Sequence, residues 1–291
     1  MDVCCRLLML LLLLSLPWGA QAAEPLTWLV RDLPPLTIAN GPREGQGAVD
    51  RLLPLLMKAL PAYDHSVVQV NRARASQMLV EPGLSCDPAL LWTADRSQAV
   101  VYSIPVFAMP TNGLIIRRED QQAFSPFIHN GELDLPALLA RPAVRIGRVA
   151  ERSYGVAIDA MLVAAPASAL NAHHGNDAVA SLLQMQQLGR LDGVLAYWPE
   201  ALYLAPQKRI DSSDLLFLPI SGVPRYQSVY IACSSTAQGR AVVDRINQVV
   251  GTLRTSTLPN FFADWLDPAG REAYVRDAKH FFETSVSETG K

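Results

Sequence analysis

Few residue types and spacings in this sequence point on their own to catalysis or metal binding. His173 and His174 lie close to Asn171 and Asp177, and these side chains can ligate a metal ion. A pair of histidines without the fixed spacing of a metal site is, however, more typical of solvated surface. The GQG segment at residues 45–47 lacks the third glycine of a dinucleotide-binding turn. We therefore expect no metal, no cofactor and no catalytic residue.

The N-terminus has the features of a secretory signal peptide. Residues 1–6 contain one arginine, residues 7–16 are leucine-rich and apolar, and residues 20–22 read AQA, an A-x-A cleavage pattern. The apolar stretch is too short for the alternative, a membrane anchor, because crossing a bilayer takes about 20 residues. We predict cleavage after Ala22 and export, with no membrane-embedded segment in the mature chain.

Export makes the cysteines informative. Removal of residues 1–22 leaves Cys86 and Cys233 as the only two cysteines of the mature chain. A disulfide between them would persist in an exported protein. The alternative is two separate buried thiols, because free cysteine behaves as a small apolar residue.

The composition excludes two classes of protein. The chain has 291 residues, with 25 Lys+Arg against 27 Asp+Glu and a formal net charge of −2. A protein that neutralises nucleic-acid phosphates needs a basic excess, so we expect no nucleic-acid partner. The 50% hydrophobic content argues against disorder. The length allows one large domain or two of medium size.

Strand and helix patterns alternate along the chain in two series, over residues 26–102 and 113–220. Such alternation is typical of α/β domains in which helices flank a mainly parallel sheet. Two series joined by two strand-like crossings predict two lobes with a two-strand hinge and a cleft between them. Lobe 1 would comprise residues 23–113 and 222–291, and lobe 2 residues 114–221.

Four segments occur in an informative order: residues 32–36 (DLPPL), residues 93–105 with a T-x-x-R start, residues 189–194 (GRLDGV) and residues 233–254. Together they resemble the family 3 solute-binding proteins of ABC transporters, which have the type II periplasmic-binding fold. A poorly characterised proteobacterial branch of that superfamily looks closer than the amino-acid binders. The resemblance implies a monomeric periplasmic protein that captures a small solute for an ABC permease or a membrane sensor.

The resemblance assigns ligand-binding roles on lobe 1. Arg96 matches the family arginine that binds the ligand carboxylate, and a planar guanidinium pairs bidentately with such a group. The alternative is a structural arginine that caps a helix or pairs with Asp95. The other lobe 1 residues implied at the site are Trp92, Thr93, Asp32 and Leu33.

Departures from the family pattern argue against an ordinary amino acid as the ligand. Leu33 stands at the position of the family's stacking tyrosine, and Tyr197 at that of the acidic residue that holds the ligand ammonium. A buried unpaired charge costs several kcal/mol. The resemblance therefore implies an anionic or carboxylate-bearing solute on an apolar or aromatic body, unless Glu151 or Glu200 reaches the site.

On lobe 2 the resemblance places an anion-binding loop at residues 149–154. Ser153 takes the hydroxyl position, a helix N-terminus at Tyr154 would favour an anion, and Arg152 would add charge. The alternative is that Glu151 and Arg152 form a solvated pair of little energetic value. The aromatic residues expected toward the cleft are Trp92, Tyr154, Tyr197 and Trp198, of which one or two would only fill the core.

The resemblance also brings Cys86 and Cys233 together on lobe 1, away from the cleft, as a structural disulfide. Two other functions remain open. One is an exported, dehydratase-like enzyme on the same fold with Glu151 or Glu200 as general acid or base. The other is a ligand-sensing module that acts only through a partner protein. No compelling acid and base pair stands out, so we expect a carrier rather than an enzyme.

Overall fold

The computed structural model describes residues 23–175, 177–266 and 268–288. The predicted signal peptide, residues 1–22, lies outside the described residues. Among the described residues, no helix is both long enough and apolar enough to cross a membrane. Two large β-sheets organise this part of the chain, and each forms the centre of one lobe.

The N-terminal part of the chain alternates strands and helices, as predicted. Its elements are β1 (Glu24–Val30), α1 (Ala48–Ala59), β2 (Tyr63–Gln69), α2 (Arg72–Val80), β3 (Ser85–Leu90), α3 (Ala94–Ser97), β4 (Val100–Tyr102) and β5 (Phe107–Pro110). Helix α1 forms because Leu52, Leu53 and Leu56 recur at helical spacing, and all three are buried.

The middle of the chain builds the second sheet. Its elements are β6 (Gly113–Arg117), α4 (Gln121–Phe124), β7 (Ile128–His129), β8 (Glu132–Leu133), α5 (Leu135–Leu139), β9 (Ile146–Val149), α6 (Val156–Ala164), β10 (Leu170–His173), α7 (Ala178–Gln187), β11 (Gly193–Ala196), α8 (Trp198–Gln207) and β12 (Leu215–Leu218). The strand order is β10-β9-β11-β6-β12. Strands β10, β9 and β11 are parallel, and β6 is antiparallel to β11 and β12.

The chain then returns to the first sheet. The remaining elements are β13 (Tyr226–Ser234), α9 (Ala237–Leu253), α10 (Leu258–Ala263) and α11 (Pro268–Glu288). The first sheet has the order β2-β1-β3-β13-β4, with β5 also paired to β13. Strand β1 is parallel to β2 and β3, whereas β13 is antiparallel to β3, β4 and β5. The first sheet is therefore discontinuous in sequence.

Two crossings connect the sheets, one between β5 and β6 and one between β12 and β13. They lie side by side, because the Thr111 N–H donates to the Arg225 carbonyl oxygen over 3.1 Å. Next to this bond, Asn112 is buried, and its side-chain amide donates to the Tyr154 carbonyl oxygen over 3.4 Å. The paired crossings thus join the sheets at one place and leave a cleft beside it.

Side chains of the two lobes also contact each other directly. The Gln227 side-chain amide on β13 donates to the Tyr197 hydroxyl at the start of α8 over 3.0 Å. Tyr203 on α8 packs edge-to-face against Trp265, with ring centroids 5.7 Å apart. The lobes are therefore closed on each other at these two positions.

A disulfide links two neighbouring strands of the first sheet. Cys86 on β3 and Cys233 on β13 are paired in register and bonded, with an S–S distance of 2.01 Å. Both side chains are fully buried. The predicted disulfide is confirmed, and the alternative of two separate thiols is wrong.

Candidate functional site

Four arginine side chains meet in the cleft between the lobes. Arg31 directly follows β1 and Arg72 begins α2, which follows β2, so both lie where parallel strands of lobe 1 end. The carboxyl ends of adjacent parallel strands open onto the same crevice, where ligands of α/β proteins bind. Arg96 on α3 approaches the cleft from lobe 1, and Arg152, which follows β9, approaches it from lobe 2. All four line one small interlobe cavity.

Arg31 is held by a buried ion pair on lobe 1. Its Nε and Nη2 donate to the two carboxylate oxygens of Asp87 over 3.1 and 2.7 Å, and Nη2 also donates to the Ala89 carbonyl oxygen over 2.6 Å. The two side chains are 7% and 1% exposed. Arg31 Nη1 is buried and has no hydrogen-bond partner among the described residues. A buried unpaired donor costs about 1–3 kcal/mol, which a ligand acceptor at this position would relieve.

Arg152 makes a matching ion pair on lobe 2. Its Nη1 and Nη2 donate to the two carboxylate oxygens of Glu200 over 3.0 and 2.7 Å, and each side chain is 4% exposed. The guanidinium carbon also lies 5.5 Å from the ring centroid of Tyr154 and 4.9 Å from that of Tyr197, within cation–π range. The alternative of a solvated pair with Glu151 is wrong, because Arg152 is buried against Glu200.

Arg72 and Arg96 differ from the other two arginines. In the part of the chain that the structure describes, neither has a carboxylate oxygen within 4.0 Å, and Arg72 Nε is buried without a partner. Burial and the charges of Arg31 and Arg152 lower the pKa of Arg72 to about 9. The cleft thus disfavours this cation until an anion approaches it. These two guanidinium groups carry the uncompensated positive charge of the site.

Helix α3 positions Arg96. Thr93 Oγ1 accepts the Arg96 N–H over 3.2 Å and so caps the helix. The Arg96 guanidinium donates from Nη1 to the Leu91 carbonyl oxygen over 3.1 Å. Within the described residues, Arg96 forms no ion pair with Asp95. The cap fixes the Arg96 backbone and directs its side chain along the cleft wall.

Five of the residues predicted to bind the ligand line one cavity between the lobes. This outer cavity has a volume of about 720 Å³, within the range of small-molecule sites. The predicted residues in its wall are Trp92, Thr93, Arg96, Arg152 and Ser153. The four arginines, with Leu33 and Tyr197, surround an adjoining inner cavity of about 20 Å³, which is space for a single water. Seven of the predicted site residues thus border these two adjoining cavities.

Asp32 lies at a third cavity of about 50 Å³, which Glu200 also lines. Its carboxylate accepts the Ala39 N–H over 3.1 Å, within its own turn. Burial raises the pKa of Asp32, and the nearby Glu200 charge adds to the shift. This carboxylate is therefore held by the backbone rather than by Arg72 or Arg96.

Two of the four aromatic residues predicted for the cleft wall pack inside lobe 2. Tyr154 is fully buried, its hydroxyl accepts the Val149 N–H over 2.7 Å, and burial raises its pKa to about 12. Trp198 packs against Phe217, with ring centroids 6.0 Å apart. Of the other two, Trp92 lines the outer cavity and Tyr197 lines the inner cavity. Two of the four aromatic residues therefore pack within lobe 2, and the sequence analysis expected one or two to do so.

The hydrogen-bond donors of the loop before α6 already have acceptors within this loop and the first turn of α6. The Asp159 carboxylate, in the first turn of α6, accepts hydrogen bonds from Ser153 Oγ and from the Tyr154 N–H over 2.5 and 2.8 Å. The Gly155 N–H donates to Ser153 Oγ over 3.3 Å. These are the hydroxyl and backbone groups predicted to bind an anion. A carboxylate of the chain already uses them, so an anion in the cleft depends on the guanidinium groups instead.

The sequence analysis did not single out Arg31, Arg72 or Asp87. A signal for the two arginines was present, because each lies just beyond a predicted strand of lobe 1. A charged residue at the carboxyl end of a parallel strand indicates a crevice residue. Asp87 gave no such signal, because it lies within β3 and its burial depends on the distant Arg31.

Comparison with known proteins identifies the fold. No protein-family model matches the sequence, and a search of curated proteins finds no match. An amino-acid ABC transporter substrate-binding protein from Streptococcus pneumoniae, bound to L-arginine, matches in structure with a TM-score of 0.60 and 15% identity, over 87% of this chain and 96% of that chain. The chain has the two-lobed periplasmic-binding-protein fold.

Other solved structures with the periplasmic-binding-protein fold have different roles. A histidine kinase sensor domain with similarity to periplasmic binding proteins has a TM-score of 0.64 and 14% identity, over 84% of this chain and 96% of that chain. An ancestral amino-acid-binding protein, described as a precursor of cyclohexadienyl dehydratase, has a TM-score of 0.61 and 13% identity, over 84% and 96%. Proteins with this fold therefore include transport proteins, a sensor domain and a precursor of an enzyme. The function of this chain has to be argued from its site rather than from its fold.

Proposed function

We propose that this protein is a periplasmic solute-binding protein that captures a small anionic solute, such as a carboxylate, between its lobes. It would deliver the solute to an ABC permease or to a membrane sensor. The observation that carries the proposal is the pair Arg72 and Arg96, which border the cleft without a carboxylate partner in the described part of the chain. Ion pairs formed in a closed, water-poor cleft are stronger than those in solvent.

The carboxylates of the cleft argue against a cationic or zwitterionic ligand. Asp87 and Glu200 each accept two hydrogen bonds from one arginine, so neither is free to bind an ammonium group. The S. pneumoniae neighbour is bound to L-arginine, and a buried cation of that kind needs an anionic partner. To act as that partner, Asp87 or Glu200 would have to leave a buried ion pair, which costs about 3–5 kcal/mol. Asp32 has no arginine partner, but it already accepts a backbone hydrogen bond and faces the Glu200 charge. The charge arrangement therefore favours an anion.

The ion pair between Arg152 and Glu200 argues against an enzyme on this fold. A general acid or base must reach the substrate with a proton to give or accept. Glu200 is engaged by Arg152 through both carboxylate oxygens, and Glu151 is exposed on the cleft rim. A carrier needs only complementarity and closure, which these residues can supply. We therefore propose carriage or sensing rather than catalysis.

Replacing Arg96 is expected to weaken anion binding at least tenfold. A hydrogen bond to a charged group contributes roughly 1.5–3 kcal/mol, which corresponds to a factor of about 10–150 in the dissociation constant. A thermal-shift screen of monocarboxylates, dicarboxylates, phosphate, sulfonates and free amino acids would first identify the best ligand. Calorimetric titration of that ligand into wild type and Arg96→Gln, at one fixed salt concentration, then gives the ratio.

Arg240 provides the matched control for this experiment. It is an exposed arginine on α9, so Arg240→Gln changes the net charge by the same amount. We expect its dissociation constant to stay within twofold of wild type. Equal binding by Arg96→Gln and wild type, or a screen in which only amino acids with a cationic side chain stabilise the protein, would contradict the proposal.

A further inference from the structure

A fourth cavity opens inside lobe 1. It lies between α2, the end of β3, α3 and β4, and has a volume of about 240 Å³. Its wall is mainly apolar, and the buried apolar members are Ala75, Leu79, Leu90 and Val100. The buried ion pair of Arg31 with Asp87 and the exposed Asp95 also line it. Ser76 and Val80 form an exposed rim. All the lining residues belong to lobe 1, so this lobe 1 cavity does not depend on closure.

The lobe 1 cavity ends at the arginine cluster. Arg31, Arg72 and Arg96 line both this cavity and the inner interlobe cavity, so the two spaces adjoin at these guanidinium groups. Strand alternation supports this arrangement, because Leu90 faces the lobe 1 cavity whereas its neighbours Ala89 and Leu91 line the inner cavity.

Two buried donors point to a missing acceptor at this junction. Arg31 Nη1 and Arg72 Nε are buried without hydrogen-bond partners in the described residues, and Arg31 as a whole is 7% exposed. Buried polar groups in folded proteins are almost always paired. A carboxylate placed at the junction could accept from both arginines. An apolar chain attached to it could then enter the lobe 1 cavity, which the same arginines line.

We propose that the solute is an amphiphilic carboxylate whose anionic group binds at Arg31, Arg72 and Arg96 and whose apolar body enters the lobe 1 cavity. This inference rests on the proposed function and narrows its ligand class. At about 30 Å³ for each water-sized group, the space of about 240 Å³ accommodates roughly eight such groups. The ligand is thus a carboxylate with an apolar body of that size.

The outer interlobe cavity is a weaker host for the apolar body. Its apolar residues include Val156 and Val163, which are 67% and 88% exposed. An apolar body resting on such rim residues would leave much of its own surface in water. By contrast, the buried apolar residues of the lobe 1 cavity are each less than 9% exposed. Since apolar binding free energy follows the total area removed from water, including the ligand's own surface, a recessed cavity with such walls favours the apolar body.

A series of linear carboxylates tests the inference. Calorimetric titration with butyrate, hexanoate, octanoate and decanoate should show affinity rising by up to about fourfold per methylene as far as octanoate. Affinity should then level off at decanoate, because the cavity is full. Ser76→Trp places a large ring at the rim and should weaken octanoate binding at least tenfold while leaving butyrate binding within twofold.

Gln77 supplies the matched control. It is exposed, follows Ser76 on α2 and does not line the cavity, so Gln77→Trp should bind the whole series like wild type. Equal affinity for butyrate and octanoate would overturn this inference, and so would octanoate binding that Ser76→Trp does not change. Either result would leave the proposal of an anionic solute standing. Binding of phosphate or sulfonates without any carboxylate would overturn this inference as well. Failure of every anion in the screen would overturn both proposals.

Discussion

Replacing Cys86 and Cys233 together by alanine is expected to lower the free energy of unfolding by about 4–5 kcal/mol. The bond joins residues 147 positions apart, so it closes a loop that spans all of lobe 2. In the chain-entropy account, a cross-link over such a long loop removes much of the freedom of the unfolded chain. Both cysteines are fully buried, and alanine keeps their sites apolar. Urea unfolding monitored by circular dichroism under non-reducing conditions gives the difference.

Wild type in the presence of a reductant is the control for this variant. It should unfold at the same urea concentration as Cys86→Ala/Cys233→Ala, because both lack the bond. The slope of the transition should also become steeper in the absence of the bond, since the unfolded chain exposes more surface. A loss below 1 kcal/mol in the double variant would show that the disulfide does not contribute the expected stability.

Replacing Glu200 by glutamine is expected to lower the free energy of unfolding by about 3–5 kcal/mol. The change leaves Arg152 buried without its carboxylate partner, and an uncompensated buried charge is strongly destabilising. Lobe 2 packing around Tyr154 and Tyr197 should loosen with it, because both rings contact that guanidinium. The free energy of unfolding can be measured by the same urea titration.

Glu81 provides the matched control for the Glu200 variant. Its ion pair with Arg74 has a comparable distance of 2.9 Å, but the two side chains are 35% and 46% exposed. Glu81→Gln should therefore change stability by less than about 1 kcal/mol. Combining Arg152→Met with Glu200→Leu should recover most of the loss, because it removes both charges. Equal effects of Glu200→Gln and Glu81→Gln would refute the role given to the buried pair.

Most of the fold could be predicted from local patterns. The apolar spacing of α1 and α9 and the alternation of strands and helices suffice for two α/β lobes. The apolar pattern would start strand β3 at Pro88, whereas the strand begins at Ser85. The sequence could not show this, because Asp87 is buried in the strand only through its pair with Arg31. Strands β5 and β10 have four residues each, too few for a visible alternation.

The candidate site was less predictable than the fold. Thr93 and Arg96 were identifiable because their spacing is local and their motif lies beside a strand end. Which arginines are free to bind a ligand depends instead on long-range pairs, such as Arg31 with Asp87 and Arg152 with Glu200. Sequence spacing carries no information on such pairs. The proposed charge of the ligand therefore rests on these long-range pairs rather than on sequence spacing.

The most direct test of a cleft built for an anion is to identify the molecule that the protein carries. The protein should be purified under native conditions from its own host and then denatured, and the released small molecules analysed by mass spectrometry. We predict a carboxylate or another anion with an apolar body, which then stabilises wild type but not Arg96→Gln in a thermal-shift assay. Release of a basic amino acid, bound equally well by both proteins, would contradict the account.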